Sequence, residues 1–242
     1  MNVTAARVAP LLATGFALLC GLGQLSAAGS SVHGFEKVVS RFNNTAPPAY
    51  RAFRRLEAGS PGKNKTGWLE AWTEYSPAHG LTIEIVREGG SEYVRTKILR
   101  GMLNSEQQLV ANGKPLRASL DANNYTFEDG GETADGLHRV VLKAARKSEG
   151  VVNGSLFLNP ETGYVTRIEG RLVKSPSFWV HDVDVTWKFA RVSGHVLPVE
   201  VSSLGKVRMY GGSMFKMVYD YVAIDGHATS GRLNAALRDE QR

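Results

Sequence analysis

Residues 154–194, GSLFLNPETGYVTRIEGRLVKSPSFWVHDVDVTWKFARVSG, read as three successive long strands joined by tight turns, and this stretch sets the fold class. The first turn, Asn159-Pro160-Glu161-Thr162-Gly163, places proline where φ near −65° is wanted and glycine where a left-handed residue is needed. β-rich runs flank it on both sides, so the segment is a hairpin. No catalytic constellation of comparable strength occurs elsewhere in the chain.

The head of the chain has the layout of a secretory signal. A single charge, Arg7, precedes an apolar run over residues 8–23, and Ser26-Ala27-Ala28 supplies the small residues a signal peptidase takes. Residues 1–28 are therefore expected to be a cleaved signal peptide, and the mature protein periplasmic or secreted. An uncleaved membrane anchor is the rival reading, against which the run is short for a span of roughly 20 apolar residues. Cys20, the only cysteine, lies in this segment behind Leu18 and Leu19, where lipid attachment would want a small residue. A mature chain without cysteine excludes disulfides, thiol nucleophiles and Cys-ligated metal.

Residues 29–242 are expected to form one domain. The chain's 26 glycines fall mostly where strands would turn, as at Gly89-Gly90, Gly130-Gly131 and Gly211-Gly212. Loss of Arg7 lowers the formal charge from +6 to +5, and the basic residues are scattered through the strands. That pattern suits solvated outer faces and gives no nucleic-acid surface.

Val32, Phe35, Val38, Val39 and Phe42 recur at helical spacing behind Ser30 and Ser31, predicting a first helix. Residues 50–58 are read as a strand that pairs with the following GWLEAWTEY. Residues 81–87 alternate, with Leu81, Ile83 and Ile85 on one face, and residues 92–97 are expected to pair with them across Gly89-Gly90. The period then changes. Leu99, Met102, Leu103, Leu109 and Val110 predict a second helix over residues 98–111, ending at Asn112-Gly113. Further strands are expected at residues 125–127, 137–145, 151–158, 164–173, 178–191, 196–204, 207–210 and 213–222. The fold class is thus mainly β (α+β): a large curled antiparallel sheet forming a half-open barrel, with two helices packed on or lidding its concave side.

The turn LFLNPETGYVTRIEG, with the Arg167/Glu169 pair on its second strand, resembles the LolA/LolB-like superfamily of outer-membrane lipoprotein-sorting proteins. RRLEA, RLVKSPSFWV and VRMYGGSMFKMVYDY also look like an uncharacterised bacterial secreted family related to it. The likeness covers most of residues 32–225. It implies a half-barrel whose apolar concave face, lidded by helices, holds acyl chains. The family's lid-contacting arginine cannot be matched to any one of Arg51, Arg54 or Arg55, and no lipoprotein-transfer residue is carried over.

Two aromatic stripes mark the expected hydrophobic wall. Trp179, His181, Val183, Val185, Trp187 and Phe189 share one strand face, and Phe215, Met217, Tyr219 and Tyr221 alternate with Met214, Lys216, Val218 and Asp220 on a later strand. A packed core explains both stripes without a ligand, whereas two short helices leave part of so wide a sheet for a pocket. His181-Asp182-Val183-Asp184 resembles a metal or acid/base cluster, but alternation sends His181 to the face opposite both aspartates. The remaining histidines are dispersed, and neither H-E-x-x-H nor G-x-S-x-G occurs.

The expected function is therefore a non-enzymatic carrier for lipid, lipoprotein acyl chains or another hydrophobic small molecule, with no cofactor and no metal. Envelope lipoproteins or the outer membrane are the partners it would meet, and the oligomeric state is left open. The alternative is a cell-envelope scaffold with a packed core and no ligand, for which the charged run Arg51, Arg54, Arg55 and Glu57 would suit a docking edge.

Overall fold

The computed structural model describes residues 39, 42, 47–60, 65–112, 119–175, 180–207 and 211–230. The expected signal peptide lies outside them. So does most of the first expected helix, of which Val39 and Phe42 are described, both helical.

Strands β1 (Tyr50–Ser60), β2 (Lys65–Ser76) and β3 (Gly80–Gly90) form a meander, followed by helix α1 (Arg100–Ala111). Then come β4 (Tyr125–Glu132), β5 (His138–Ala144), β6 (Val152–Leu158), β7 (Val165–Leu172), β8 (Val180–Val192), β9 (His195–Val207), β10 (Gly211–Ile224) and the short β11 (His227–Ala228). They make one antiparallel sheet in the order β3-β2-β1-β10-β9-β8-β7-β6-β5-β4, with β11 beside β10. The sheet is not closed, since β3 and β4 are its two ends. The only long-range step joins β1 to β10, and every other neighbour is consecutive in the chain.

The hairpin between β6 and β7 is built as its residues predict. Asn159 Oδ1 accepts from the amides of Glu161 and Thr162 at 3.0 and 2.9 Å, and Gly163 adopts φ +67°. Arg167 and Glu169 pair on the next strand at 3.2 Å.

Register places one apolar row across eight strands. Leu69 faces Leu56, and Leu56 faces Met217. The row continues through Val201, Trp187, Ile168, Leu156 and Val140. Directly opposed residues share a face, so this row defines one inner surface. The core over it divides in two. Leu99, just before α1, and Met102 and Leu103 of α1 cover Leu56, Leu69, Met217 and Tyr219. Val39, Leu120 and Tyr125 join Val140, Leu156, Ile168, Val183 and Val185 in the other cluster. Trp187 packs against both.

Two expectations are corrected. Residues 92–97 do not pair with β3: the chain leaves the sheet at Gly90 and enters a π-helical turn, Val94–Leu99, that runs into α1. Helical burial wins over alternation there, because Val94 and Leu99 bury against the sheet while Arg95 and Arg100 both bind Glu88, at 2.7 and 2.9 Å. The second helix consequently begins earlier than residue 98. Gly130-Gly131 is not the turn after β4 but an irregularity within it, the turn falling at Thr133–Leu137, where Thr133 N donates to Leu137 O. Of the strand expected at residues 207–210, Val207 ends β9 and 208–210 lie outside the described residues. Of the two expected helices, the second is α1 with its leading π-turn, and the first falls outside the described residues except for Val39 and Phe42, both helical.

Candidate functional site

The charged run on β1 is split by strand alternation. Ala52, Leu56 and Ala58 point inward, and Arg54 points inward with them, fully buried, while Arg51 and Arg55 stay on the outer face. Register sets Arg54 opposite Ala71 on β2 and Tyr219 on β10. The small methyls of Ala52 and Ala71 leave volume that the guanidinium fills.

Its partner comes from α1. Leu99, Met102, Leu103 and Glu106 follow the 3–4 residue spacing of one helical stripe, so Glu106 faces the sheet. Arg54 Nη2 lies 2.8 Å from Glu106 Oε2, 2.9 Å from the Tyr219 hydroxyl and 3.1 Å from Met217 Sδ. The guanidinium carbon sits 4.6 Å from the centre of the Tyr219 ring. Tyr50, Tyr219 and Tyr221 wall this pair, with Tyr221 stacked on Tyr219 at 5.9 Å and Tyr50 edge-on to Tyr221 at 5.5 Å. Burial pushes the Glu106 carboxyl above the ordinary glutamate value against the pull of Arg54. Burial likewise raises the Tyr219 phenol, opposed by Arg54, and keeps it neutral. The Arg54 Nε and Nη1 atoms are buried without a hydrogen-bond partner among the described residues, as is Trp187 Nε1.

The expected wall residues share the inner face but fall into two groups. Phe215, Met217, Tyr219 and Tyr221 lie under α1, and Val183 and Val185 lie in the second cluster. All six are 2–7% exposed. Phe189 meets Phe42 edge-on at 5.3 Å, and Trp187 bridges the groups. Trp179 lies outside the described residues. Residue chemistry and α1 thus fill the face in this state, and Arg54 and Glu106 are the members that sequence reading missed. Both carry a signal: each is a charged residue at a position where the local period demands an apolar one.

The HDVD segment is also corrected. Asp182 takes φ +49° within an irregularity of the β8–β9 pairing, which breaks the alternation and brings its Oδ2 to 3.2 Å from His181 Nδ1 and 3.3 Å from Lys206 Nζ. Asp184 goes elsewhere, accepting both Nε and Nη2 of Arg171 at 2.8 and 2.9 Å. Among the described residues no group of three or more His, Cys, Asp or Glu side chains could hold a metal ion. An open groove of about 510 Å³ lies on the outer face, lined by Asn153, Glu169, Arg171, Asp184 and Thr186. Gly170 and Val185, the latter one of the expected wall residues, complete its lining. No described helix is long and apolar enough to cross a membrane.

No protein-family model matches the chain, and no curated protein matches it. Among solved structures the chain is similar to a LolA superfamily protein from Nitrosomonas europaea, with 12% identity over 79% of this chain and 92% of that one, at a TM-score of 0.39. It is also similar to a DUF1329 family protein from Desulfovibrio piger, with 9% identity over 77% of this chain and 90% of that one, at a TM-score of 0.41.

Proposed function

We propose that this protein is a non-enzymatic periplasmic carrier that sequesters a lipid or another hydrophobic ligand against the inner face of its open sheet, with α1 as the gate. The observation that carries the reading is the form of the cover: an apolar face spanning eight strands is closed over β1, β2 and β10 by a single helix pinned to it through one buried ion pair, Arg54–Glu106. Burying an acyl chain yields about 0.8 kcal/mol per methylene, so a chain of about sixteen carbons offers on the order of 12 kcal/mol. The four apolar side chains that α1 and its leading turn would give up, Val94, Leu99, Met102 and Leu103, are worth on the order of 6–12 kcal/mol together. The two are of one size, which is what reversible loading requires. The ligand wall would be Val183, Val185, Trp187, Phe189, Phe215, Met217, Tyr219 and Tyr221.

Lipid extraction of the native protein followed by mass spectrometry tests this. Acyl lipids are expected on the wild type and absent from Trp187→Asp, which sets a carboxylate at the junction of the two clusters. Protein free of lipid under several extraction conditions favours the second reading, an envelope scaffold. That reading draws on the burial of the wall residues beneath α1.

A further inference from the structure

We propose, building on the carrier reading, that the ligand is an acyl chain ending in a carboxylate, and that Arg54 binds that carboxylate in the place Glu106 holds while α1 is closed. The inner face carries an excess of unmet donors. Of the five N–H bonds of the Arg54 guanidinium, those on Nε and Nη1 have no acceptor among the described residues, nor has the indole N–H of Trp187. Thr73 adds a buried hydroxyl on the same face, opposite Ala52. Buried donors are nearly always matched in folded proteins, so this surface is built to receive oxygen atoms.

Charge narrows the ligand further. Movement of α1 takes Glu106 away and leaves Arg54 an uncompensated cation in an apolar wall, beside Met217 and Leu56. A hydrocarbon or an alcohol that replaced the helix would leave that charge unmatched. A carboxylate restores it and brings two acceptors in the plane the guanidinium fork presents. It is also the group already seated against Nη2 at 2.8 Å, supplied by the protein itself. Glu106 then acts as an internal stand-in for the ligand's acid end. Ligand and helix compete for one arginine.

Titrating the purified protein at pH 8 with laurate and with dodecanol, equal in chain length, and following intrinsic tryptophan fluorescence separates the possibilities. Wild type is expected to bind laurate about tenfold or more tighter than dodecanol. Glu106→Gln removes the competing carboxylate, so laurate affinity rises about threefold or more, and by a larger factor than dodecanol affinity, which gains only from the looser helix. In Arg54→Met/Glu106→Leu the laurate affinity falls to that of dodecanol. Equal binding of the two ligands by wild type overturns the carboxylate proposal and leaves the carrier reading standing. So does an unchanged laurate affinity in Glu106→Gln. Binding of neither ligand overturns the carrier reading, and this proposal with it. Should the double variant fail to fold, the wild-type ratio and the Glu106→Gln titration decide.

Discussion

Glu106 Oε2 on α1 stands 2.8 Å from Arg54 Nη2 on β1, and both side chains are almost wholly withdrawn from solvent, at 7% and 0% exposure. Residues 52 positions apart in sequence thus form the more deeply buried of two charged contacts between α1 and the sheet, the other being Arg100 with Glu88 on β3. An ion pair in this setting is a poor source of stability, because desolvation of two charges offsets their attraction. Its value is to seat α1 in one register against an otherwise featureless apolar surface.

The first prediction separates those two roles. Arg54→Ala or Glu106→Ala alone leaves an uncompensated buried charge and is expected to cost about 3–5 kcal/mol in urea unfolding. The double replacement Arg54→Met/Glu106→Leu keeps volume and removes both charges, and is expected to come within about 1.5 kcal/mol of wild type. Single variants costing less than about 1 kcal/mol would show that the pair is solvated and does not hold the helix.

The pair also shows what the sequence could and could not reveal. The hairpin at Asn159–Gly163 is legible because its determinants are local: an Asx acceptor, a proline and a left-handed glycine within five residues. The inward faces of β8 and β10 are legible for the same reason, alternation being a local rule. Residues 92–97 misled because their spacing suits strand or helix, and the deciding contacts, Glu88 to Arg95 and Arg100, are tertiary. His181 and Asp182 misled because a strand irregularity with φ +49° cannot be read from residue type. Arg54 and Glu106 were visible singly, as misplaced charges on apolar faces. Their meeting depends on α1 folding back over β1, which no spacing within either segment encodes.

A second prediction concerns two glycines with opposite surroundings. A Cβ on Gly154 would sit 2.0 Å from the carbonyl oxygen of Glu169 on the paired strand, so Gly154→Ala must part β6 from β7. The expected loss is about 1–3 kcal/mol or more, since the obstacle is backbone and does not yield. A Cβ on Gly212 meets nothing within 4 Å, and its φ is not in the left-handed range. Gly212→Ala is therefore expected to be neutral or to stabilise by up to about 1 kcal/mol through the unfolded chain. Thermal melting of the two variants checks the contrast, and equal effects would refute the close pairing at Gly154.

Acid should loosen the approach to α1 through Glu88. Hydrogen bonding to Arg100, opposed by partial burial and reinforced by Arg95, holds its carboxyl below the ordinary glutamate value. A depressed folded-state pKa contributes stability that is present above the unfolded value near 4.5 and is lost as pH falls through the folded value. Unfolding free energy measured from pH 7 down to pH 3 should fall less steeply in Glu88→Gln than in wild type. Parallel curves would show that Glu88 gains nothing from the two arginines.

The gate reading requires α1 to open before the sheet does, and hydrogen exchange tests that directly. Within the described structure α1 is held by the side chains of Met102, Leu103 and Glu106, by Arg100 donating to Glu88 at 2.9 Å and by Gln107 Nε2 donating to Leu81 O at 3.1 Å, with Leu99 of the leading turn beside them. β1, by contrast, is hydrogen-bonded along its length to β2 on one side and β10 on the other. Opening α1 therefore breaks one layer of side-chain contacts, whereas opening β1 breaks two ladders and the core between them. Amides of residues 103–111 should exchange by a local opening whose free energy lies well below that of β1 and β10 amides, and below the global unfolding value. Laurate should change their protection while leaving the β1 and β10 amides at the global limit. Protection of α1 equal to that of β1 would mean that helix and sheet open only together, and a cover that opens only with its sheet cannot serve as a gate.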